Sequence, residues 1–302
     1  MKDLHGIVPI LPSIFHADGS LDREGFARVV RYVLGAGAHG VAFPALASEF
    51  YALSDDERVA LTEVVVHEVG GAVPVVGTAT AASPQAALAL AQRVAAAGVD
   101  ALMVMPPYVV RDPAPAVAAL FERIAAAVDV PLVIQNAPPP LGSAFGTDVV
   151  KGLLRRVPAV RYVKEENTPG GQRITQLLTD PPPSLAGVFG GAGGRYIMDE
   201  LARGAIGAMP ACELTEVHVR IYERFRAGDV AGARALYDRT LPLLTFQAVF
   251  RMDMTKEVLR RRGLIGAAHV RVGAVPLDSG DHAELDALLA GAADLLGDVP
   301  HA

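Results

Sequence analysis

The sequence predicts a (β/α)8 barrel followed by a C-terminal helical extension. Three observations carry this expectation. A unit of one short apolar strand and one amphipathic helix repeats eight times over about 200 residues. Most of the strands are continuous apolar runs, as parallel strands covered on both faces require. No Gly-x-Gly-x-x-Gly follows the first strand, which weighs against a doubly wound sheet, the other architecture this length allows.

The strands are expected at 7–11, 40–44, 73–78, 101–105, 132–135, 160–165, 185–190 and 205–209. The helices between them carry start signals. Ser54-Asp55-Asp56-Glu57 reads as a capping box, and Asp22-Arg23-Glu24 as a weaker one. Ser83-Pro84 puts proline at a first helical position. Gly35, Gly70 and Gly98 mark helix ends. After Met209 the alternation stops, and 213–227, 230–244, 246–262 and 282–296 all read as helices. The first closes the barrel. The barrel is therefore assigned to 1–228 and the extension to 229–302, packed on the barrel as one structural unit with no linker between.

Composition narrows the function. Hydrophobic residues make up 51% of the 302 residues, enough for a large core. The net charge is −6 and no long basic run occurs, which argues against nucleic acid as a partner. The single cysteine, Cys212, excludes an intramolecular disulfide and a multi-cysteine metal site. The eight histidines form no His-x-x-x-His pair, so no metal is expected; no cofactor is expected either. The segment Met1-Lys2-Asp3-Leu4-His5-Gly6 lacks the apolar core of a signal peptide, and no apolar run approaches the ~20 residues of a membrane span. The expectation is a cytoplasmic protein.

One residue stands out chemically. The chain has four lysines against twenty-three arginines, out of 27 in total. Lys2 is terminal, and Lys151 and Lys256 lie in segments that read as polar-faced helices. Lys164 alone ends an apolar strand, Val160-Arg161-Tyr162-Val163-Lys164. Arginine serves most surface ion pairs but cannot form a Schiff base, and burial of an amine favours its neutral, nucleophilic form. The bland alternative is a strand-end lysine paired with a carboxylate. Side chains two apart on a strand share a face, so Glu166 points where Lys164 points. In a barrel of this type the active site is built at the C-terminal strand ends. The residues there include Ala47-Ser48-Glu49, Thr78, Thr80, Tyr108, Gln135-Asn136, Lys164-Glu165-Glu166, Gly190-Gly191 and Cys212.

Taken together, Ser48-Glu49 with Leu53-Ser54, Pro107-Tyr108, Asn136-x-Pro138, Val163-Lys164-Glu165 and Gly190-Gly191 resemble the dihydrodipicolinate synthase / N-acetylneuraminate lyase family over essentially the whole chain. The resemblance implies a Schiff base between Lys164 and a small-molecule 2-oxo acid, and a homotetramer built as a dimer of dimers. The departures are as informative. The family's hydroxyl pair before Gly-Glu is Leu46-Ala47 here, its glycine is Ser48, its strand-5 tyrosine is Gln135, and its second Pro-Tyr tyrosine is Val109. Dihydrodipicolinate synthesis and standard sialic acid cleavage are therefore not expected. The 2-keto-3-deoxy sugar acid dehydratase branch is similar in its strand-5 glutamine and altered strand-2 motif. The expected function is thus a 2-keto-3-deoxy sugar acid dehydratase or aldolase. Lys164, Glu166 and Gln135 are the expected catalytic residues, with Glu166 as general acid/base. Ala47, Ser48, Tyr108, Asn136, Gly190, Gly191 and Cys212 are expected to bind substrate, with Glu49 structural. Two alternatives stay open: a phosphosugar-binding barrel using the Gly190–Gly194 loop without imine chemistry, and a catalytically degenerate metabolite-binding regulator.

Overall fold

The computed structural model describes residues 3–110, 112–140 and 142–297. The extension expected at 229–302 is described as far as residue 297, and the remainder lies outside the described residues, as do Met1 and Lys2. Eight parallel strands run in the order β1-β8-β7-β6-β5-β4-β3-β2. They are β1 (Gly6–Ile7), β2 (Val41–Phe43), β3 (Val75–Thr78), β4 (Ala101–Val104), β5 (Leu132–Asn136), β6 (Val160–Glu165), β7 (Gly187–Gly190) and β8 (Gly207–Ala208). The seam between β1 and β2 closes through a parallel bridge of Ile10 with Ala42. There the Leu11 N–H donates to the Ala42 carbonyl and the Ala42 N–H to that of Pro9, each at 3.0 Å. The expected barrel is present, with its first and last strands shorter than the apolar runs suggest.

The helices alternate with the strands: α1 (Arg23–Gly35), α2 (Asp55–Val69), α3 (Pro84–Ala96), α4 (Ala114–Ala125), α5 (Thr147–Arg156), α6 (Gly170–Leu178), α7 (Ile197–Ala202) and α8 (Thr215–Arg226). The Ser54 hydroxyl accepts the Glu57 N–H while Glu57 reaches back to the Ser54 N–H, completing the capping box. Asp22 and Ser83 accept from the first-turn N–H groups of Gly25 and Ala86. Gly70 ends α2 at φ 52°, a left-handed conformation that glycine adopts without the usual Cβ cost.

Strand alternation divides the core into two layers. Val8, Ile10, Ala42, Val76, Met103, Val133, Tyr162, Phe189 and Met209 fill the barrel interior. Their neighbours, such as Val41, Phe43, Leu102, Leu132, Ile134 and Val163, face the helices. The extension comprises α9 (Val230–Phe250), α10 (Met252–Arg261) and α11 (Ser279–Gly291). Leu243, Leu244, Met254, Val258 and Leu285 share one cluster with Ile7, Ala208 and α8. The barrel's closing strands are thus covered by the tail.

The tail differs from expectation in two places. The helices expected at 230–244 and 246–262 meet at Arg251 instead. Pro242 is accommodated inside α9, whose buried face continues through Leu243, Leu244 and Gln247. The chain breaks at Arg251, with φ 47° and ψ −113°. Lys256 was expected on a polar helix face, yet it is completely buried. Its ammonium pairs with the equally buried Glu49, donates to the His269 carbonyl at 2.7 Å and lies 4.5 Å from the Phe15 ring centroid. Burial lowers its pKa, and the Glu49 carboxylate opposes that shift. Glu49 also accepts the Arg271 N–H at 3.0 Å, so it anchors the extension to the strand-2 loop, a structural role. Arg271 adds a two-pronged contact to Glu57 at 2.9 and 3.0 Å.

Candidate active site

Lys164 and Glu166 lie on the inward face at the C-terminal end of β6, as alternation requires. Lys164 is 3% exposed and sits above the apolar floor that includes Tyr162, Phe189, Ile10 and Met209. Its Nζ is 3.1 Å from Glu166 Oε1. Gln135 pairs with Lys164 in the register of β5 and β6. Its Nε2 donates to the other Glu166 oxygen at 2.8 Å. An amine, a carboxylate and an amide thus form one continuous chain at the barrel mouth. Gly191 makes room for it, since a Cβ at that position would come within 2.5 Å of Glu166 Cγ.

The outward face at the same strand ends is equally polar but closed. Glu165 accepts from Asn136 Nδ2 at 2.8 Å, from the Asn167 N–H at 3.0 Å and pairs with Arg173 at 3.0 Å. The Asn136 amide is also engaged by the Phe145 backbone. Asn136 therefore faces away from the cavity; the alternation that puts Gln135 inward puts its neighbour outward. Cys212 follows the same parity, completely buried in the barrel–helix layer, while Ala211 faces the cavity. Burial raises the Cys212 thiol well above its usual range.

The other expected binding residues divide similarly. Ala47 lines the cavity. Ser48 does not: its hydroxyl donates to the Leu11 carbonyl at 2.5 Å and accepts the Ala45 N–H at 2.9 Å. Ser48 holds the strand-2 loop, while the Leu46 and Ala47 N–H groups at the start of its short turn have no acceptor among the described residues. Tyr108 packs edge-on against Phe50, 5.6 Å between ring centroids, behind the cavity wall. Gly190 turns outward over Glu200, whose carboxylate would sit 1.8 Å from an added Cβ. Burial pushes the Glu200 carboxyl up to about 8, with the negative charge of Glu166 acting in the same direction. Gly190 and Gly191 thus give space to two carboxyl groups and do not line the cavity themselves.

The cavity has two lobes. One, about 120 Å³, contains Lys164, Glu166, Ile10, Ala47, Met209 and Ala211. The other, about 360 Å³, is walled by Pro138, Pro139, Pro140, Thr168 and Tyr196. Glu166, Leu46, Tyr51, Ala192, Arg195 and Arg251 border both. Sequence reasoning missed Tyr51, Arg195, Gln247 and Arg251. Arg195 follows the glycine loop closely enough to have been considered. Arg251 carried no signal, because its segment reads as uninterrupted helix.

The dihydrodipicolinate synthetase family model matches residues 3–292. The chain belongs to this family. Among its relatives is an L-2-keto-3-deoxyarabonate dehydratase from Azospirillum brasilense, 30% identical over 261 residues, which cover 85% of this chain and 84% of the relative. A dihydrodipicolinate synthetase-type protein from Pseudomonas aeruginosa superposes with a TM-score of 0.89 at 25% identity, covering 96% of this chain and 99% of the other. YagE, a family member from Escherichia coli K12 solved in complex with pyruvate, gives a TM-score of 0.87 at 25% identity, covering 95% and 98%. Like its family, the chain is a lyase with the barrel fold. No helix among the described residues is long and apolar enough to cross a membrane.

Proposed function

We propose that this lyase forms a Schiff base between Lys164 and a 2-oxo acid and uses Glu166 to move protons on the bound imine, as a 2-keto-3-deoxy sugar acid dehydratase. The observation that carries the reading is the chain from Lys164 through Glu166 to Gln135, in a lobe floored by apolar side chains. The neutral Lys164 amine adds to C2 of the substrate, and loss of water leaves the imine. The Leu46 and Ala47 N–H groups, without an acceptor among the described residues, receive the neighbouring carboxylate. The imine draws electron density from C3. Glu166, within hydrogen-bond reach of the amine, takes a C3 proton and leaves an enamine. The enamine expels a C4 hydroxyl as water, with the proton returned by Glu166, and hydrolysis then frees Lys164. Gln135 holds the second Glu166 oxygen and so fixes the orientation of the first.

Dehydration is favoured over aldol cleavage because the proton chemistry it needs is concentrated at C3 and C4, within reach of one carboxylate. A dehydratase of a 2-keto-3-deoxy acid is among the relatives, and a family member binds pyruvate. The phosphosugar alternative loses its cradle, since Gly190 and Gly191 face Glu200 and Glu166. The fitting assembly is the homotetramer that the family resemblance implies, in the cytoplasm, with residues 1–228 as the barrel and the remainder as its packed extension.

The test is chemical trapping. Incubation with pyruvate followed by borohydride adds a reduced adduct on Lys164, read by intact mass and peptide mapping, and Lys164→Arg abolishes it. Absence of any adduct from several 2-oxo acids, with Lys164→Arg fully active, sinks the imine. Product analysis decides the outcome class: a semialdehyde that keeps every carbon marks dehydration, and free pyruvate plus an aldehyde marks cleavage.

A further inference from the structure

Arg195 and Arg251 are two cations on the shared wall of both lobes, and neither has a carboxylate partner within ion-pair distance among the described residues. Arg195 is half-buried. Its guanidinium is held only by neutral acceptors, Gln247 Oε1 at 3.2 Å and the Leu244 carbonyl at 3.5 Å. Burial pulls its pKa below the usual arginine value and the charge of Arg251 acts in the same direction, while Tyr196, Glu166 and Glu213 oppose the shift. The carboxylates of Glu166 and Asp253 make their direct contacts with other groups. Glu166 is occupied by Lys164 and Gln135, and Asp253, on the first lobe's wall, accepts the Val275 N–H at 2.9 Å. Arg251 also holds the unusual backbone conformation between α9 and α10, which directs it to the mouth. Arg195 is half-buried and Arg251 exposed, and an anion that enters the larger lobe meets both guanidinium groups.

The larger lobe contains both arginines and lacks Lys164. A 2-oxo acid bound at Lys164 keeps its C1 carboxylate beside the imine, so whatever enters the larger lobe is the substrate's far end. We infer that this far end carries a second carboxylate, and that Arg195 and Arg251 select a 2-oxo diacid. Planar guanidinium forks match a carboxylate in two-point contacts, and Gln247 is placed to hold Arg195 in position. The inference rests on the Schiff-base reading and narrows its substrate class.

Matched probes test it on the native protein. 2-Oxoglutarate and 2-oxoadipate are compared with 2-oxopentanoate and 2-oxohexanoate, which have the same lengths without the terminal carboxylate. The readout is the concentration that half-saturates borohydride-trapped adduct on Lys164. The expected result is half-saturation by at least one diacid at a concentration roughly tenfold or more below its monoacid. Arg195→Gln and Arg251→Gln should each erase that preference, read as the ratio of diacid to monoacid half-saturation within each variant. Equal half-saturation within each pair, with pyruvate trapped normally, overturns the second carboxylate and leaves the imine standing. No adduct with any probe removes the imine reading and this inference with it. Tighter half-saturation by 2-oxo-4-phosphonobutanoate than by 2-oxoglutarate assigns a terminal phosphate instead and overturns the diacid. The wild-type comparison stands even if a variant fails to fold.

Discussion

Nζ of Lys164 lies 3.1 Å from Oε1 of Glu166, two residues on, just past the end of β6 and on the same inward face. In the proposed mechanism the contact joins the nucleophile to the group that would accept its proton. It also contains the bland alternative, a buried ion pair, and the two readings diverge on substitution.

If Glu166 moves protons on the imine, Glu166→Gln keeps the borohydride adduct and lowers turnover by roughly 10²–10⁴-fold, the usual worth of a positioned general acid/base. Single-turnover trapping beside steady-state kinetics separates the steps. Parallel loss of trapping and turnover would assign Glu166 to structure. Gln135→Ala should have a smaller effect in the same direction, because Glu166 keeps its contact with Lys164.

Gly191→Ala tests the packing of that carboxylate. The added Cβ would meet Glu166 Cγ at 2.5 Å, so the Glu166 side chain must shift. Turnover should fall while the thermal midpoint moves by a few degrees at most. An unchanged kcat would show that the position of Glu166 is not critical.

The Glu49–Lys256 pair links the strand-2 loop to the extension and is buried on both sides. Lys256→Met leaves Glu49 buried without its cation and should cost about 3–5 kcal/mol in denaturant unfolding. The double change Glu49→Leu/Lys256→Met should recover much of that loss, since no unpaired charge remains. A double variant as unstable as the single one would place the cost in packing.

Stability should depend on pH through groups behind the site. Burial holds the Glu200 carboxyl protonated up to about 8 and that of Glu213 up to about 7, against 4.5 for the ordinary side chain. The folded state then carries more protons than the unfolded one across that window, so stability falls as pH rises through it. His218 acts oppositely. Burial lowers its pKa from 6.5 to about 4, so stability also falls as pH drops through that range. Above 6.5 the carboxyls dominate. Thermal midpoints should decline from pH 6.5 to 8, and Glu200→Gln should remove most of the decline above 7. A Glu200→Gln profile parallel to the wild type would show that Glu200 is not the titrating group.

The barrel and the Lys164–Glu166 pair were legible in the residues because both depend on periodicity. Apolar runs announce strands covered on both faces, and period-two alternation fixes which side chains turn inward together. The same rule places Asn136 and Cys212 outward of Gln135 and Ala211, so those two departures were also written in the strand pattern. Periodicity carries no information about where loops and the tail return. Lys256 looked like a surface helix residue until Glu49, more than two hundred positions earlier in the chain, came to lie beside it in the fold. Arg195 and Arg251 line the same cavity because α9 runs on past Pro242 and the chain breaks at Arg251. Local pattern therefore defined the strand-end lysine and its inward neighbour. The long-range path of the chain chose the charges that face whatever binds there, because loop closure and tail docking depend on contacts distant in sequence.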